Sequence, residues 1–238
     1  MRLDQYLCIH QGIESRNKAQ QLIKEGFVWV NQKQEYKSSR KISDHDQVLI
    51  HSNLQFVSRG GHKLQAALQH FQISIQNKLC IDVGASTGGF TDCMLQAGAK
   101  EVLAIDVGTK QLHPSLRDNP RVLVREQTDI RAFHTPPFYC DFLAADLSFI
   151  SISMCIDSIG KLMKRASKAV LLIKPQFEAG TMGYRRDYIP LGPLRDKVID
   201  HCGHCILEHN FQILGRIPSP ISGAKKGNIE ELFFVERL

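Results

Sequence analysis

The sequence predicts an α/β protein: a doubly wound, mostly parallel sheet with an antiparallel last strand, preceded by a small α+β domain. Three observations lead there. From about residue 63 onward, strands and helices alternate. The strands in that region are nearly all apolar, as parallel strands covered on both faces are. The last two, FQILGRIPS and EELFFVER, are separated by a loop and no helix, so the final strand enters antiparallel.

The front segment, 1–54, reads as helix, helix and a small sheet. In MRLDQYLCIHQG, Leu3, Leu7 and Ile9 are apolar and Gly12 is a stop. Ser15 caps RNKAQQLIKEG, in which Ala19, Leu22 and Ile23 form one buried stripe and Gly26 ends the helix. FVWVN is a strand turning at Asn31, and DQVLI is a second. Arg16, Asn17, Gln20, Gln21 and Lys24 lie off the apolar stripe; Lys37, Arg40 and Lys41 add basic side chains from the sheet. A solvated helix face and a phosphate grip are both compatible with that pattern.

The second domain, 55–238, opens on VSRGGHKL and a helix over 63–71. Strand 79–84, helix 88–97, strand 101–108, helix 111–118 and strand 121–126 follow. Then come strand 141–148, helix 151–165, strand 169–175, helix 194–209 and strands 211–219 and 230–237. Gly60 and Gly61 read as the link that lets the chain pass between the domains, with Arg59 as a phosphate contact.

Bulk composition narrows the class. The chain has 238 residues, 43% of them hydrophobic, and a net charge of +6, enough for a real core and compatible with nucleic acid. The first 60 residues hold nine basic and six acidic side chains, so the front is the more basic part per residue. MRLDQYLCIH carries charge and no long apolar run, and no apolar window is long enough to span a bilayer, so a cytoplasmic location is expected. The seven scattered cysteines read as reduced thiols. HCGHC at 201–205 lacks a second ligand pair and sits in a helical stretch, so no metal site is expected there.

In open α/β sheets ligands bind beyond the carboxyl ends of the strands. The first strand runs into IDVGASTGGFTD, which is not the dinucleotide fingerprint because Ser86 stands where its second glycine would be. Gly84, Gly88 and Gly89, with Ser86 and Phe90 beside them, still permit a tight turn close to a ligand. Asp82 can meet a cationic amino group. Asp106, at the end of the second strand, can accept from ribose hydroxyls. Asp129, at the end of the third, can accept from an adenine amine. Amine, ribose and adenine in that order are the parts of S-adenosylmethionine, and the two-strand ending favours a methyltransferase sheet over a dehydrogenase. Three further strand-end residues, Asp146, Lys174 and Glu230, join Lys63 to make two lysines and two carboxylates at one sheet edge. Period-two alternation sends Glu230 and Glu231 to opposite faces, so only one of them can enter the site.

RLDQYL and SRNKAQQLIKEGFVWVN resemble the small RNA-binding domain named after ribosomal protein S-four, which implies phosphate contacts at Arg16, Lys18 and Lys24. SRGGHKL, DVGASTGGFTD, DLSFIS, KPQFEAG and GNIE together resemble the hemolysin-A-like (TlyA-type) ribosomal RNA methyltransferases, whose catalytic domain is similar to FtsJ-type ribose 2′-O-methyltransferases. The resemblance implies a Lys-Asp-Lys-Glu tetrad at Lys63, Asp146, Lys174 and Glu230. It implies S-adenosylmethionine as donor and ribosomal RNA within a ribosomal subunit as acceptor. The sequence departs from the family in SGAKKGNIE, one residue longer than usual, in Gln127 and Asp129 of EQTDI, and in TMGYRRDYIP, where Arg185 and Arg186 are candidate RNA grips. Two rival readings are a membrane-active haemolysin, which the lack of a spanning segment disfavours, and a non-catalytic RNA-binding assembly factor, which the intact tetrad disfavours.

Overall fold

The structure, a computed structural model, describes residues 1–24, 26–50, 55–184, 187–221 and 228–238. It divides into two compact units, Met1–Arg59 and Gly60–Leu238. The boundary expected after residue 54 falls at 51–54, outside the described residues.

In the first unit, α1 (Leu3–His10) and α2 (Arg16–Lys24) accompany an antiparallel sheet of order β2-β1-β3, made by β1 (Val28–Val30), β2 (Lys33–Gln34) and β3 (Val48–Ile50). Leu3 and Leu7, one turn apart on α1, share a core with Ala19 and Ile23 of α2 and with Val28, Val30 and Val48 of the sheet. The Ser15 hydroxyl accepts from Lys18 N at 3.2 Å, the cap expected for α2. Asp4 is buried and accepts from Arg2, Gln20 (2.7 Å) and Arg16 (3.1 Å), and the Arg2 guanidinium holds its carboxyl well below the usual carboxylate range.

The second unit holds a seven-stranded sheet of order β6-β5-β4-β7-β8-β10-β9. Its strands are β4 (Leu79–Val83), β5 (Glu101–Ile105), β6 (Val122–Arg125), β7 (Cys140–Ala145), β8 (Met163–Ile173), β9 (Phe211–Pro218) and β10 (Glu231–Arg237). The first five run parallel, and β10 enters antiparallel between β8 and β9. The helices are α3 (Gly60–His70), α4 (Gly89–Gln96), α5 (Pro114–Arg117), α6 (Ile156–Leu162), α7 (Pro175–Glu178) and α8 (Pro193–Glu208). One core face gathers Ile81, Leu103, Leu143, Leu171 and Phe233 from five adjacent strands under Ile156, Ile159 and Ile206 of the helices. Because β10 is reversed, its first residue, Glu231, pairs with Ile173 at the end of β8. The start of β10 therefore shares a sheet edge with the carboxyl ends of the other strands.

Several expectations are corrected. The helix expected over 151–165 is a 3-10 turn at Ile152–Met154 followed by α6, and the chain re-enters the sheet at Met163. Lys164 pairs there with Asp141 of β7 at 2.6 Å, and Ala166 takes a left-handed φ of 58° where the register with β7 shifts, so the charged run MKRASK is an irregular strand start. The helix expected over 111–118 shrinks to α5, because Pro114 opens it and holds His113 extended, while Glu126 accepts from the N–H groups of Lys110, Gln111 and Leu112 in the loop before it. Gly60 and Gly61, expected as the link, are the first two residues of α3, and Gly61 is buried. HCGHC lies on α8 with Cys202 and Cys205 buried and His201 and His204 exposed.

Candidate active site

The loop from β4 into α4 is shaped by close backbone contact. Gly84 has φ +82°, and a Cβ there would sit 2.5 Å from the Asp146 carbonyl oxygen. Gly88, at φ +97°, caps α4 and would drive a Cβ into Leu116 and Leu112. Both positions exclude a side chain twice over, by conformation and by space. Ser86 is also left-handed, at φ 49°, so it takes the shape a glycine would supply. Asp106 holds it: one carboxylate oxygen accepts from Ser86 N at 2.8 Å and the other from Gly108 N at 2.7 Å. A carboxylate has about four acceptor sites, so two remain for hydroxyl donors.

Asp82 is fully buried near the end of β4 and accepts from the Thr91 hydroxyl at 2.6 Å. Among the described residues its other oxygen is buried with no hydrogen-bond partner. Burial pushes this carboxyl up to about 7, against the Thr91 bond, with the charges of Asp146 and Asp106 adding to the rise. Phe90 and Gly89 are buried in the first turn of α4.

Beside this loop stand two ion pairs. Lys63, on the first turn of α3, places Nζ 2.5 Å from Glu230, which is 2% exposed. Lys174, just past β8, places Nζ 2.5 Å from Asp146, just past β7, and 2.7 Å from the Ser148 hydroxyl. Asp146 N in turn donates to Val83 O at 2.9 Å, fixing the end of β7 to the end of β4. The next glutamate, Glu231, turns the other way and binds Arg195 at 2.6 Å. Phe149, 79% exposed with φ 67°, stands out beside Ser148, and its ring lies 5.0 Å from that of Phe177 on α7. A bulky residue held at positive φ is strained and marks a candidate functional position.

Of the remaining candidates, Asp129 does not end a strand. β6 stops at Arg125, and Asp129 caps the 3-10 turn Ile130–Ala132 while pairing with Arg131 at 2.6 Å, which lowers its pKa. Arg16, Lys18, Lys24 and Lys41 are exposed; Arg16 keeps one contact to Asp4, and Arg40 pairs with Glu35 at 2.8 Å. The Arg59 guanidinium lies over the Tyr36 ring, 4.3 Å from its centroid. Arg185 and Arg186, and the long SGAKKG stretch at 222–227, lie outside the described residues. Sequence reasoning missed Ser148, Phe149, Glu126 and Glu178. Phe149 reads as core in an apolar stretch, and Glu126 and Glu178 read as surface charges although Glu178 is 4% exposed.

The S4 domain family matches residues 1–48, and the FtsJ-like methyltransferase family matches 56–237. The chain belongs to the FtsJ-like methyltransferase family, with an S4 domain at its front. It is 42% identical over 98% of its length to Hemolysin A of Brachyspira hyodysenteriae, and covers 98% of that protein. It is 41% identical over 96% of its length to the 16S/23S rRNA (cytidine-2′-O)-methyltransferase TlyA of Mycobacterium tuberculosis, covering 87% of it. A solved structure from Streptococcus thermophilus described as a hemolysin superposes with a TM-score of 0.78 at 35% identity, over 100% of this chain and 88% of that one. Among the described residues no helix is long and apolar enough to cross a membrane.

Proposed function

We propose that the protein transfers a methyl group from S-adenosylmethionine to a ribose 2′-hydroxyl of ribosomal RNA within a ribosomal subunit. The carrying observation is the pair of buried lysine–carboxylate bridges, Lys63–Glu230 and Lys174–Asp146, set beside a glycine loop at the ligand-binding edge of the sheet. The cofactor fits the residues present. The buried oxygen of Asp82 left without a partner among the described residues suits a cationic amine, the spare acceptor sites of Asp106 suit ribose hydroxyls, and Gly84 and Gly88 let the loop between them turn tightly against Asp146 and Leu112. Asp129 spends both carboxylate oxygens on the backbone N–H and guanidinium of Arg131, so the structure adds no support for its expected contact to an adenine amine. The bound cofactor supplies an electrophilic methyl on a sulfonium.

The chain's own task is to present a poor nucleophile. Asp146 and Ser148 fix Lys174 Nζ from two sides, which leaves its third direction for the acceptor oxygen, where it polarises the hydroxyl so that its proton passes to water as the new C–O bond forms. Glu230 orients Lys63, and the two together position the ribose. Phe149 offers an exposed ring on which the neighbouring base can stack. Arg16, Lys18, Lys24, Lys41 and Arg59 grip phosphates, which position the RNA without reading its sequence. The names of the relatives support cytidine as the target nucleoside.

The test is transfer of label from S-adenosylmethionine to each purified ribosomal subunit, followed by mapping. Label on ribose 2′-oxygens is expected. Label on a base, or none, defeats the reading.

A further inference from the structure

We infer that Glu178 is a positioning residue for the methyl-transfer site, clamping the segment that carries Asp146 and Ser148 against the one that carries Lys174; this rests on the reading above. Lys174 is the N-cap of α7, and Phe177 and Glu178 return their N–H groups to its carbonyl at 2.9 and 3.3 Å. Glu178 is thus one helical turn from Lys174. Its carboxylate accepts from the Ser151 hydroxyl at 2.5 Å and from Ile152 N at 3.0 Å. Ser151 in turn caps the 3-10 turn at Ile152–Met154.

The contacts run in parallel along two chain segments. Lys174 meets Asp146 and Ser148, Phe177 meets Phe149, and Glu178 meets Ser151 and Ile152. The lysine that faces the acceptor oxygen is the first rung, and Glu178 is the last and most buried.

The chemistry of Glu178 is unusual for its surroundings. The buried carboxylates Glu230, Glu231 and Asp4 each sit on a cation, whereas Asp82, in the expected cofactor loop, has only the Thr91 hydroxyl. Among the described residues Glu178 forms no ion pair, and its donors are neutral. A lone buried carboxylate is costly unless its acceptor sites are used. Here its two oxygens serve two donors, the Ser151 hydroxyl and Ile152 N. A neutral amide of the same shape has one acceptor oxygen, so it cannot accept from both Ser151 and Ile152 as the carboxylate does, and the Ser151 hydroxyl must redirect its proton.

The experiment compares wild-type protein with Glu178→Gln, Glu178→Asp and Glu178→Ala in single-turnover methylation of purified ribosomal subunits, alongside calorimetric S-adenosylmethionine affinity and thermal melting. A reacting group displaced by about an ångström loses roughly 100-fold in rate. Glu178→Gln should therefore lower the transfer rate by about 10- to 100-fold while cofactor affinity stays within about twofold. Glu178→Asp, one methylene short of both donors, should fall at least as far. In a Lys174→Ala background, Glu178→Gln should cost little further rate, because its effect passes through the lysine. An unchanged rate in Glu178→Gln overturns the inference. So does a parallel loss of rate, cofactor affinity and melting temperature, which marks a merely structural carboxylate. If wild-type protein transfers no label, the functional reading itself fails and the inference falls with it.

Discussion

Glu230 and Glu231 are consecutive, both buried and both bound to a cation, yet only one faces the glycine loop's edge of the sheet. This makes them a matched pair for separating stability from catalysis. Glu230→Gln leaves Lys63, whose side chain is 10% exposed, without its counter-charge; Glu231→Gln does the same to Arg195, at 9%. Full removal of a buried partner costs about 3–5 kcal/mol. Glutamine keeps one acceptor oxygen, so about 1–3 kcal/mol is expected for each variant, within the 5–15 kcal/mol that a domain commands. For a unit of this size that is a drop in melting temperature of roughly 2–10 °C, similar in both. Transfer should diverge: Glu230→Gln falls by about 100-fold or more because the ribose is no longer oriented, and Glu231→Gln stays within about threefold of wild type. The assay is single-turnover methylation of ribosomal subunits beside a melting curve. Equal losses of rate at matched stability would refute the claim that Glu230 acts on substrate.

Four other expectations follow from single contacts. Asp82 has a folded-state pKa near 7, above its unfolded value, so the unfolded chain releases its proton first; its contribution to stability is lost as pH rises from about 4 to 7. A cationic amine prefers the ionised form, so S-adenosylmethionine affinity should strengthen as pH rises through 7, and Asp82→Asn should flatten that dependence in calorimetry. Phe149→Ala should weaken productive RNA binding by about 1–3 kcal/mol, the worth of one base stack, without changing cofactor affinity. Gly84→Ala, forced against the Asp146 carbonyl at positive φ, should lower both cofactor affinity and melting temperature, whereas substitution at the open Gly12 should affect only stability. Lys24→Ala should reduce the slope of log affinity against log salt for RNA by about 0.7–0.9, and an unchanged slope would return α2 to a merely solvated face.

The layout of the sheet and the edge where the site forms were legible because both depend on robust signals. Apolar strands alternating with helices leave few topologies, and parallel strands deliver their carboxyl ends to one side. Asp82, Asp106, Asp146 and Lys174 therefore cluster whatever the details of packing. What was not legible depended on partners distant in sequence. MKRASK looks like the end of an amphipathic helix until Asp141 of β7 is beside Lys164. The loop before α5 is held by Glu126 from the far side of β6, and the buried Glu178 follows from Ser151 and Ile152 on another segment. Asp129 was misplaced by three residues of turn that carry no apolar rhythm. Gly60 and Gly61 were read as a link because glycine pairs usually break helices, but here they open one.

The reversed strand has a consequence for how the protein is made. β9 is synthesised before β10, yet β10 lies between β9 and β8. Until β10 inserts, β8 presents an open edge, β9 has no neighbour in the sheet, and Lys63 waits for a carboxylate 167 residues away. Such late, long-range pairing is slow and leaves a window for wrong partners. It also works as a check on completeness: a prematurely terminated chain can fold its S4 domain and hold RNA, but it lacks the last strand that brings Glu230 to Lys63. Truncated products would then compete for the RNA without modifying it.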